Sequence, residues 1–369
     1  MSAPDPQRDI DMRMMSRAAR IALRGHGGAE PNPMVGCVIA TARGECIAEG
    51  YHRRCGQAHA EVHALAAAGA RARGATAYVT LEPCAHHGRT PPCADALVRA
   101  GVARVVFARP DPNVEAQGGA AALRRAGIEA VRLPHAAAEA CAGMFARRVL
   151  HGMPWVIAKW AATTDNRCVA APAHGRWISS EPSRRMVHRE RARVDAVLTG
   201  IGTVRADDPH LMPRTSRSRR VPRRIVVDPR LEMPVSAQLV RTASEGTVEI
   251  ACMAGARAAR TASDMAALDA AGIRWRDLDP GQDRALSLTP LLRALAADGI
   301  STVLTEAGPR LVRSLLAADL VDEAWVFTST AVAGRAGSGS WPELDASRFV
   351  CVDERPRGTD IMRLWRRAR

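Results

Sequence analysis

The sequence predicts an α/β protein of two domains, residues 1–151 and 152–369. Three observations lead there. The chain has 369 residues, more than one ordinary domain holds. Apolar strand-type runs alternate with helical runs along its length, the pattern of helices packed on largely parallel sheets. Midway, His151-Gly152-Met153-Pro154 interrupts the alternation with two residues that end helices.

In the first domain, Ile10, Met14, Ala18 and Ile21 share one helical face, and Gly25-His26-Gly27-Gly28 ends that helix. Pro31-Asn32-Pro33 is a rigid bend into a buried strand, 34–40, whose hairpin partner is 47–51. Asn32, held between prolines, either presents its amide to a base edge or serves only the turn. A helix over 58–70 carries His59 and Glu61 in its first turn, where the helix dipole acts on anions. A strand over 76–81 delivers Glu82-Pro83-Cys84, and Cys93 opens the next helix. Strand 103–108, helix 118–126, strand 128–133 and helix 136–150 follow.

The second domain starts with strand 155–159, a loop over 163–176 and a helix over 182–193. Strand 194–199 runs into Gly200-Ile201-Gly202-Thr203-Val204-Arg205. This glycine turn suits a pyrophosphate but lacks the third glycine of a dinucleotide fingerprint. Arg214 to Arg224 is a basic loop read as solvated, with the 2′-phosphate of NADP as the other role open to it. Strand 225–228, helices near 263–271 and 289–297, and further short strands come next. Strand 302–305 feeds Glu306-Ala307-Gly308-Pro309 and a helix over 309–318, whose first amides suit phosphate. A strand near 323–328 and a Gly-rich turn at 334–339 complete the pattern. Ligand is expected outside the carboxyl ends of these strands.

The net charge is +14, shared as +6 over 1–150 and +8 over the rest. Lys159 is the only lysine, so arginine supplies nearly all the positive charge. An excess so evenly spread favours a basic surface for anionic small substrates over a nucleic-acid groove, and 4% aromatic residues leave little for base stacking. No apolar run reaches the roughly 18 residues of a membrane span, and residues 1–13 lack a signal core. Nine scattered cysteines then point to a reduced, cytoplasmic setting and metal use rather than disulfides. Self-association stays open.

The chemistry concentrates in His59-Ala60-Glu61, Pro83-Cys84 and Cys93. A hydrolytic zinc takes three protein ligands and leaves one position for water. His59, Cys84 and Cys93 supply one nitrogen and two thiolates, whose charge balances Zn²⁺. Glu61, no ligand, moves protons. The pattern resembles the signature of zinc nucleobase deaminases, except that eight residues separate Cys84 from Cys93 instead of two. Within that spacer His86 and His87 are rival ligands, and Arg89 is the natural partner of a phosphate. Structural zinc would need a fourth ligand, which leaves a non-catalytic zinc protein as the weaker alternative and a nucleic-acid deaminase as another.

Three runs, Pro31-Asn32-Pro33-Met34-Val35-Gly36, His59-Ala60-Glu61-Val62-His63-Ala64-Leu65, and Thr80 to Cys93 with its His-His-Gly-Arg-Thr-Pro-Pro spacer, closely resemble the bifunctional deaminase/reductase of riboflavin biosynthesis. Trp177-Ile178-Ser179-Ser180, Thr203 to Leu211 and Glu306 to Pro309 are similar to its reductase half. The resemblance implies a cytidine-deaminase-like three-layer domain followed by an open α/β domain like dihydrofolate reductase. It implies zinc-dependent deamination of a phosphorylated diaminopyrimidine, then NADPH-dependent reduction of its ribosyl side chain. It places NADP at Ala161, Trp177, Thr203, Asp207 and the helix start Gly308, Pro309, Arg310, Leu311, Val312, Arg313 and Ser314. It places substrate at Gly175, Arg191, Leu211, Arg214 and Glu306. Two departures stand out: Asn166 occupies a turn position where the family has glycine, and Ala85 replaces a serine beside Cys84. Asn tolerates positive φ, so the turn is expected to survive.

Overall fold

The computed structural model describes residues 5–86, 91–168, 177–214, 218–278, 287–332 and 339–368. They form two compact units, Met1–Met153 and Pro154–Arg369.

In the first unit the order is α1 (Pro6–Ala22), β1 (Gly36–Ala40), β2 (Cys46–Tyr51), α2 (Ala60–Ala68), β3 (Thr76–Val79), α3 (Cys93–Ala100), β4 (Arg104–Phe107), α4 (Gly119–Arg125), β5 (Glu129–Arg132), α5 (Ala136–Cys141) and α6 (Gly143–His151). The sheet order is β2-β1-β3-β4-β5. The hairpin β1/β2 and the β1/β3 pair are antiparallel, whereas β3/β4 and β4/β5 are parallel, so this sheet is mixed rather than largely parallel. The helix expected over 136–150 breaks at Ala142 into α5 and α6.

Strand side chains alternate between faces, and that alternation makes two cores. Cys37, Ile39, Ala77, Val79, Val105 and Phe107 pack with Ala60 and Ala64 of α2, Leu97 of α3 and Leu123 of α4. Val38, Ala40, Tyr78 and Val106 pack with Met14, Met15, Ala18 and Ile21 of α1 and Ala138 of α5. The result is three layers, with the site-bearing helices α2 and α3 on one face. A side chain at Gly50 would overlap the backbone of α2 at Ala60 and Ala64, so glycine there lets that helix sit close on β2.

The second unit runs β6 (Trp155–Ala162), α7 (Glu181–Arg191), β7 (Ala196–Gly200), α8 (Ile201–Asp207), β8 (Arg223–Val227), α9 (Gln238–Arg241), β9 (Val248–Met253), α10 (Ala262–Ala270), β10 (Arg274–Leu278), α11 (Leu288–Ala297), β11 (Thr302–Thr305), α12 (Pro309–Ala317), β12 (Glu323–Thr328), β13 (Phe349–Arg357) and β14 (Asp360–Arg367). Its sheet order is β10-β9-β8-β7-β11-β6-β12-β14-β13. The strands from β10 to β12 are parallel, and β14 and β13 add an antiparallel edge. Sequence periodicity did not announce that hairpin. Nor did it announce α8, which the glycine turn disguised.

Candidate functional site

In the first unit, His59 caps α2 and Cys93 begins α3, while Cys84 follows β3. His59 Nδ1 faces Cys93 Sγ at 3.2 Å and Cys84 Sγ at 3.7 Å, and the three ligand atoms lie within 4.8 Å of one another. A tetrahedral zinc with bonds of 2.0–2.3 Å separates its ligands by roughly 3.5 Å, so the donor set and its spacing fit that ion. Among the described residues no further His, Cys, Asp or Glu joins the cluster. His86 stands outside it, and His87 and Arg89 lie outside the described residues.

The surroundings favour thiolate at Cys84. The Cys93 amide donates to Cys84 Sγ at 3.3 Å. The Cys93 thiol, then His59, hold Cys84 down at about 4, while Cys84 and burial push Cys93 up. Glu61 is 3% exposed, and burial raises its carboxyl to about 6. Glu82 anchors the Cys84 loop from behind, accepting the Ala120 amide at 3.0 Å and the Asp111 amide at 3.4 Å. Gly119 lets α4 approach, since a side chain there would overlap the Pro83 carbonyl. Asp111, buried and raised to about 6 chiefly by that burial, lies within electrostatic reach of Cys84 and His86. The Asn32 amide nitrogen meets His52 Nε2 at 3.3 Å, and His52 Nδ1 donates to the Ala58 carbonyl at 3.1 Å. That tautomer makes Nε2 an acceptor, which turns the Asn32 carbonyl oxygen away from His52. The His52 ring also stands edge-on to His59, 5.3 Å between centroids.

In the second unit a cavity of about 1430 Å³ follows the carboxyl ends of five neighbouring strands, β9, β8, β7, β11 and β6. At strand spacings near 4.8 Å these span roughly 19 Å, long enough for an extended dinucleotide. Lys159 and Ala161 of β6 line one end; Asp228, Arg230 and Met253 line the other. Between them stand Gly200 to Thr203, where α8 starts, and Gly308 to Leu311, where α12 starts. Thr203 Oγ1 ties the two turns by accepting the Gly308 amide at 3.0 Å. Arg191 clasps Glu306 with Nε and Nη2 at 2.5 and 2.8 Å. Burial alone would raise Glu306, but Arg191, with Lys159, holds it below the usual value. Burial lowers Lys159, with Glu306 opposing. His188, pushed to about 4 by burial and Arg191, accepts the Arg214 amide at 3.3 Å.

Residues 8–109 match the cytidine and deoxycytidylate deaminase zinc-binding region, and residues 154–360 match the RibD C-terminal domain. Riboflavin biosynthesis protein RibD of Escherichia coli K12 is 39% identical over 372 residues, covering 94% of this chain and 96% of that one. The Aquifex aeolicus protein of the same name is 37% identical over 89% of each chain. The chain belongs to the RibD family. A solved Acinetobacter baumannii RibD superposes with a TM-score of 0.78 at 35% identity, over 98% of this chain and 99% of that one. As a RibD protein the chain is a bifunctional enzyme of riboflavin biosynthesis, a zinc-dependent deaminase and an NADPH-dependent reductase. No helix among the described residues is long and apolar enough to cross a membrane.

The cavity gathers Ala161, Trp177, Thr203, Asp207, Gly308, Pro309, Arg310, Leu311 and Ser314, together with Arg191, Leu211, Arg214 and Glu306. Helical periodicity turns Val312 into the core, and Arg313 reaches the Ser340 carbonyl instead; neither lines the cavity. Gly175 lies outside the described residues. Arg214 lines the cavity, but residues 218–224 of the basic loop lie away from it. Arg220 pairs with Asp195, just before β7, and Arg223 pairs with Glu249 and Asp298; these contacts sit at the amino ends of the strands. That location removes residues 218–224 from the carboxyl-end cavity. Asn166 takes φ 57°, so the turn survives without glycine. Residue-by-residue reading passed over Lys159, Glu82, Asp111 and His52. The signal for Lys159 was in the composition: a single lysine in a chain that otherwise uses arginine.

Proposed function

We propose that the first unit hydrolytically deaminates 2,5-diamino-6-(5-phosphoribosylamino)pyrimidin-4(3H)-one, and that the second reduces the ribosyl group of the product to ribityl. A Thermotoga maritima protein named as the corresponding deaminase and reductase supports this substrate class, with a TM-score of 0.77 and 29% identity over 98% of this chain. The observation that carries the deaminase reading is the three-ligand cluster of His59, Cys84 and Cys93 with Glu61 beside it. Those three side chains would hold zinc, which when bound lowers the pKa of water toward neutrality. Glu61 takes a proton from the attacking water and delivers it to the departing amine. Burial raises this carboxyl toward the operating pH, where one group can serve as base and then as acid. A carbon–oxygen bond forms, a carbon–nitrogen bond breaks, and ammonia leaves. Asn32, turned by His52, offers its carbonyl oxygen to the pyrimidine edge, and Arg89 suits the phosphate.

In the second unit NADPH, when bound, supplies the electron pair. The helix starts at Ile201 and Pro309 suit its pyrophosphate. Lys159, Arg191 and Glu306 gather at the β6/β11 end of the cavity, so the nicotinamide belongs there and the adenosine beyond β8. Lys159 is the group we assign to protonate the opening sugar, because an ammonium with a lowered pKa releases its proton readily. Glu306, fixed by Arg191, lies within electrostatic reach of that ammonium.

The test is incubation of the full chain with the diaminopyrimidine phosphate, with and without NADPH. Ammonia release in both arms and loss of the nicotinamide band only with NADPH are expected. Ammonia release that requires NADPH would overturn the division of labour.

A further inference from the structure

At the β6 end of the reductase cavity the wall includes a residue outside every sequence motif. Trp341 is 8% exposed and lines the cavity. Its ring stacks on Trp160 of β6 with centroids 5.7 Å apart and an interplanar angle of 21°. Its Nε1–H donates to the Ala161 carbonyl at 2.8 Å. Its own backbone is held from the turn before it: the Trp341 amide donates to the Asn166 carbonyl at 3.1 Å, and Asn166 Nδ2 donates to the Trp341 carbonyl at 3.1 Å. The side chain that replaces the family's glycine in that turn therefore has a specific partner, and the partner is this tryptophan.

We infer that Trp341 is a positioning residue for the nicotinamide end of NADPH. The inference rests on the reductase reading of the second unit. Three features carry it. Trp341 lines the cavity together with Trp160, Ala161 and Lys159 of β6, so its indole forms part of the wall at the end where the reacting sugar is placed. The bond to Ala161 fixes a backbone carbonyl that lines the same wall, and a carbonyl has a second lone pair to offer a carboxamide. The stacked pair with Trp160 is rigid, since an indole offset on a second ring and tied at its N–H has no free rotor. Trp341 thus sets where the nicotinamide stops, and with it the distance to the sugar. The adenosine end, at β8 and β9, lies at the far end of the cavity and is outside its influence.

That asymmetry gives the test. Trp341→Phe keeps a ring to stack and removes the donor; Trp341→Leu removes both. Equilibrium titrations would follow NADPH by its own fluorescence, and 2′,5′-ADP, which lacks the nicotinamide, by its competition with NADPH. With the Ala161 carbonyl released, its hydrogen bond to the carboxamide is lost, which is worth about fivefold in affinity. NADPH should bind about fivefold more weakly to the Phe variant and weaker still to the Leu variant, with 2′,5′-ADP unchanged in both and KM for NADPH rising in parallel. Unchanged 2′,5′-ADP binding confirms a folded second unit, and ammonia release, the first unit's reaction, should remain as in the wild type. Equal weakening of NADPH and 2′,5′-ADP would reduce Trp341 to a structural prop and overturn the inference, as would unchanged NADPH affinity in both variants. A wild-type protein that binds no NADPH would sink the reductase reading itself.

Discussion

Replacing Arg191 with methionine isolates one charge in the second unit. The Arg191 and Glu306 side chains are only 11% and 10% exposed and meet through two hydrogen bonds. Methionine keeps much of the stem and removes the guanidinium, leaving an enclosed carboxylate with Lys159 as its remaining cation. Breaking a buried pair from one side costs about 3–5 kcal/mol, and Lys159 places this variant at the low end, about 3 kcal/mol. In a unit of this size each kcal/mol moves Tm by about 2–4 °C, so a fall of about 6–12 °C is expected. The pH dependence has a definite sign. In the wild type, Glu306 sits below its ordinary 4.5, so its stabilisation is present above that pH and is lost as pH falls through the folded-state value. In the variant its pKa rises, so the penalty is full at neutral pH and fades as acid protonates the carboxyl. The deficit relative to wild type must therefore narrow on acidification. All seven tryptophans lie in the second unit, so fluorescence-detected melts report on it alone. Arg191→Met combined with Glu306→Gln should regain most of the loss. A deficit under about 1 kcal/mol at neutral pH, or one that does not shrink in acid, would refute the argument.

Glu61→Gln should retain zinc by elemental analysis yet lose about 100-fold or more of ammonia release, since an amide shuttles no proton; near-normal turnover would remove Glu61 from the mechanism. Cys84→Ser should purify with little zinc, because a hydroxyl is a poor substitute for thiolate; full zinc occupancy would point to other ligands. Lys159→Arg keeps the charge but holds its protons too tightly to donate one, so NADPH should still bind while its oxidation slows about 100-fold; unchanged turnover would clear Lys159 of the proton step. Asp11→Asn should destabilise the first unit by about 3 kcal/mol in urea followed by far-ultraviolet dichroism. Burial would raise Asp11, but hydrogen bonds from Arg104, Gln7 and Tyr78 outweigh it and hold it below 3.8. Its stabilisation is present above that pH and lost as pH falls, so variant and wild type should converge in acid.

What was legible in the sequence was whatever short covalent spacing enforces. His59 and Glu61 are two residues apart, and Cys84 and Cys93 flank one loop, so the grouping of these side chains could be read before any fold was known. The parallel strands of the second unit were legible because their residues are apolar on both faces, as in β7 and β11. The hairpin β13/β14 was not, because an edge strand carries no apolar alternation: only Phe349 is buried along β13, which also contains charges and Pro356. Helix α8 was hidden because Gly202 weakens its propensity and its first residues line the cavity. Arg214 to Arg224 was assigned two possible roles because charge alone does not say which end of a sheet a loop returns to. Its exit lies at the amino ends, where Arg223 starts β8.

Both units mount their chemistry at the same kind of junction, a helix start reached from an extended segment. His59 and Glu61 begin α2, Cys93 begins α3, and Gly308 caps α12. The reason is mechanical as well as electrostatic. A first-turn residue is held by the helix that follows, while its own amide remains unpaired and free to face a thiolate or a phosphate. The Cys93 amide on Cys84 Sγ is that principle at work in the first unit, and the Gly308 amide on Thr203 Oγ1 shows it joining two such turns in the second. Groups that must instead approach the reacting atoms from the side, Lys159 and Trp341, come from a strand and from a segment some 180 residues later in sequence. No local motif encodes that second kind of residue, because its partners are set by the sheet rather than by the chain.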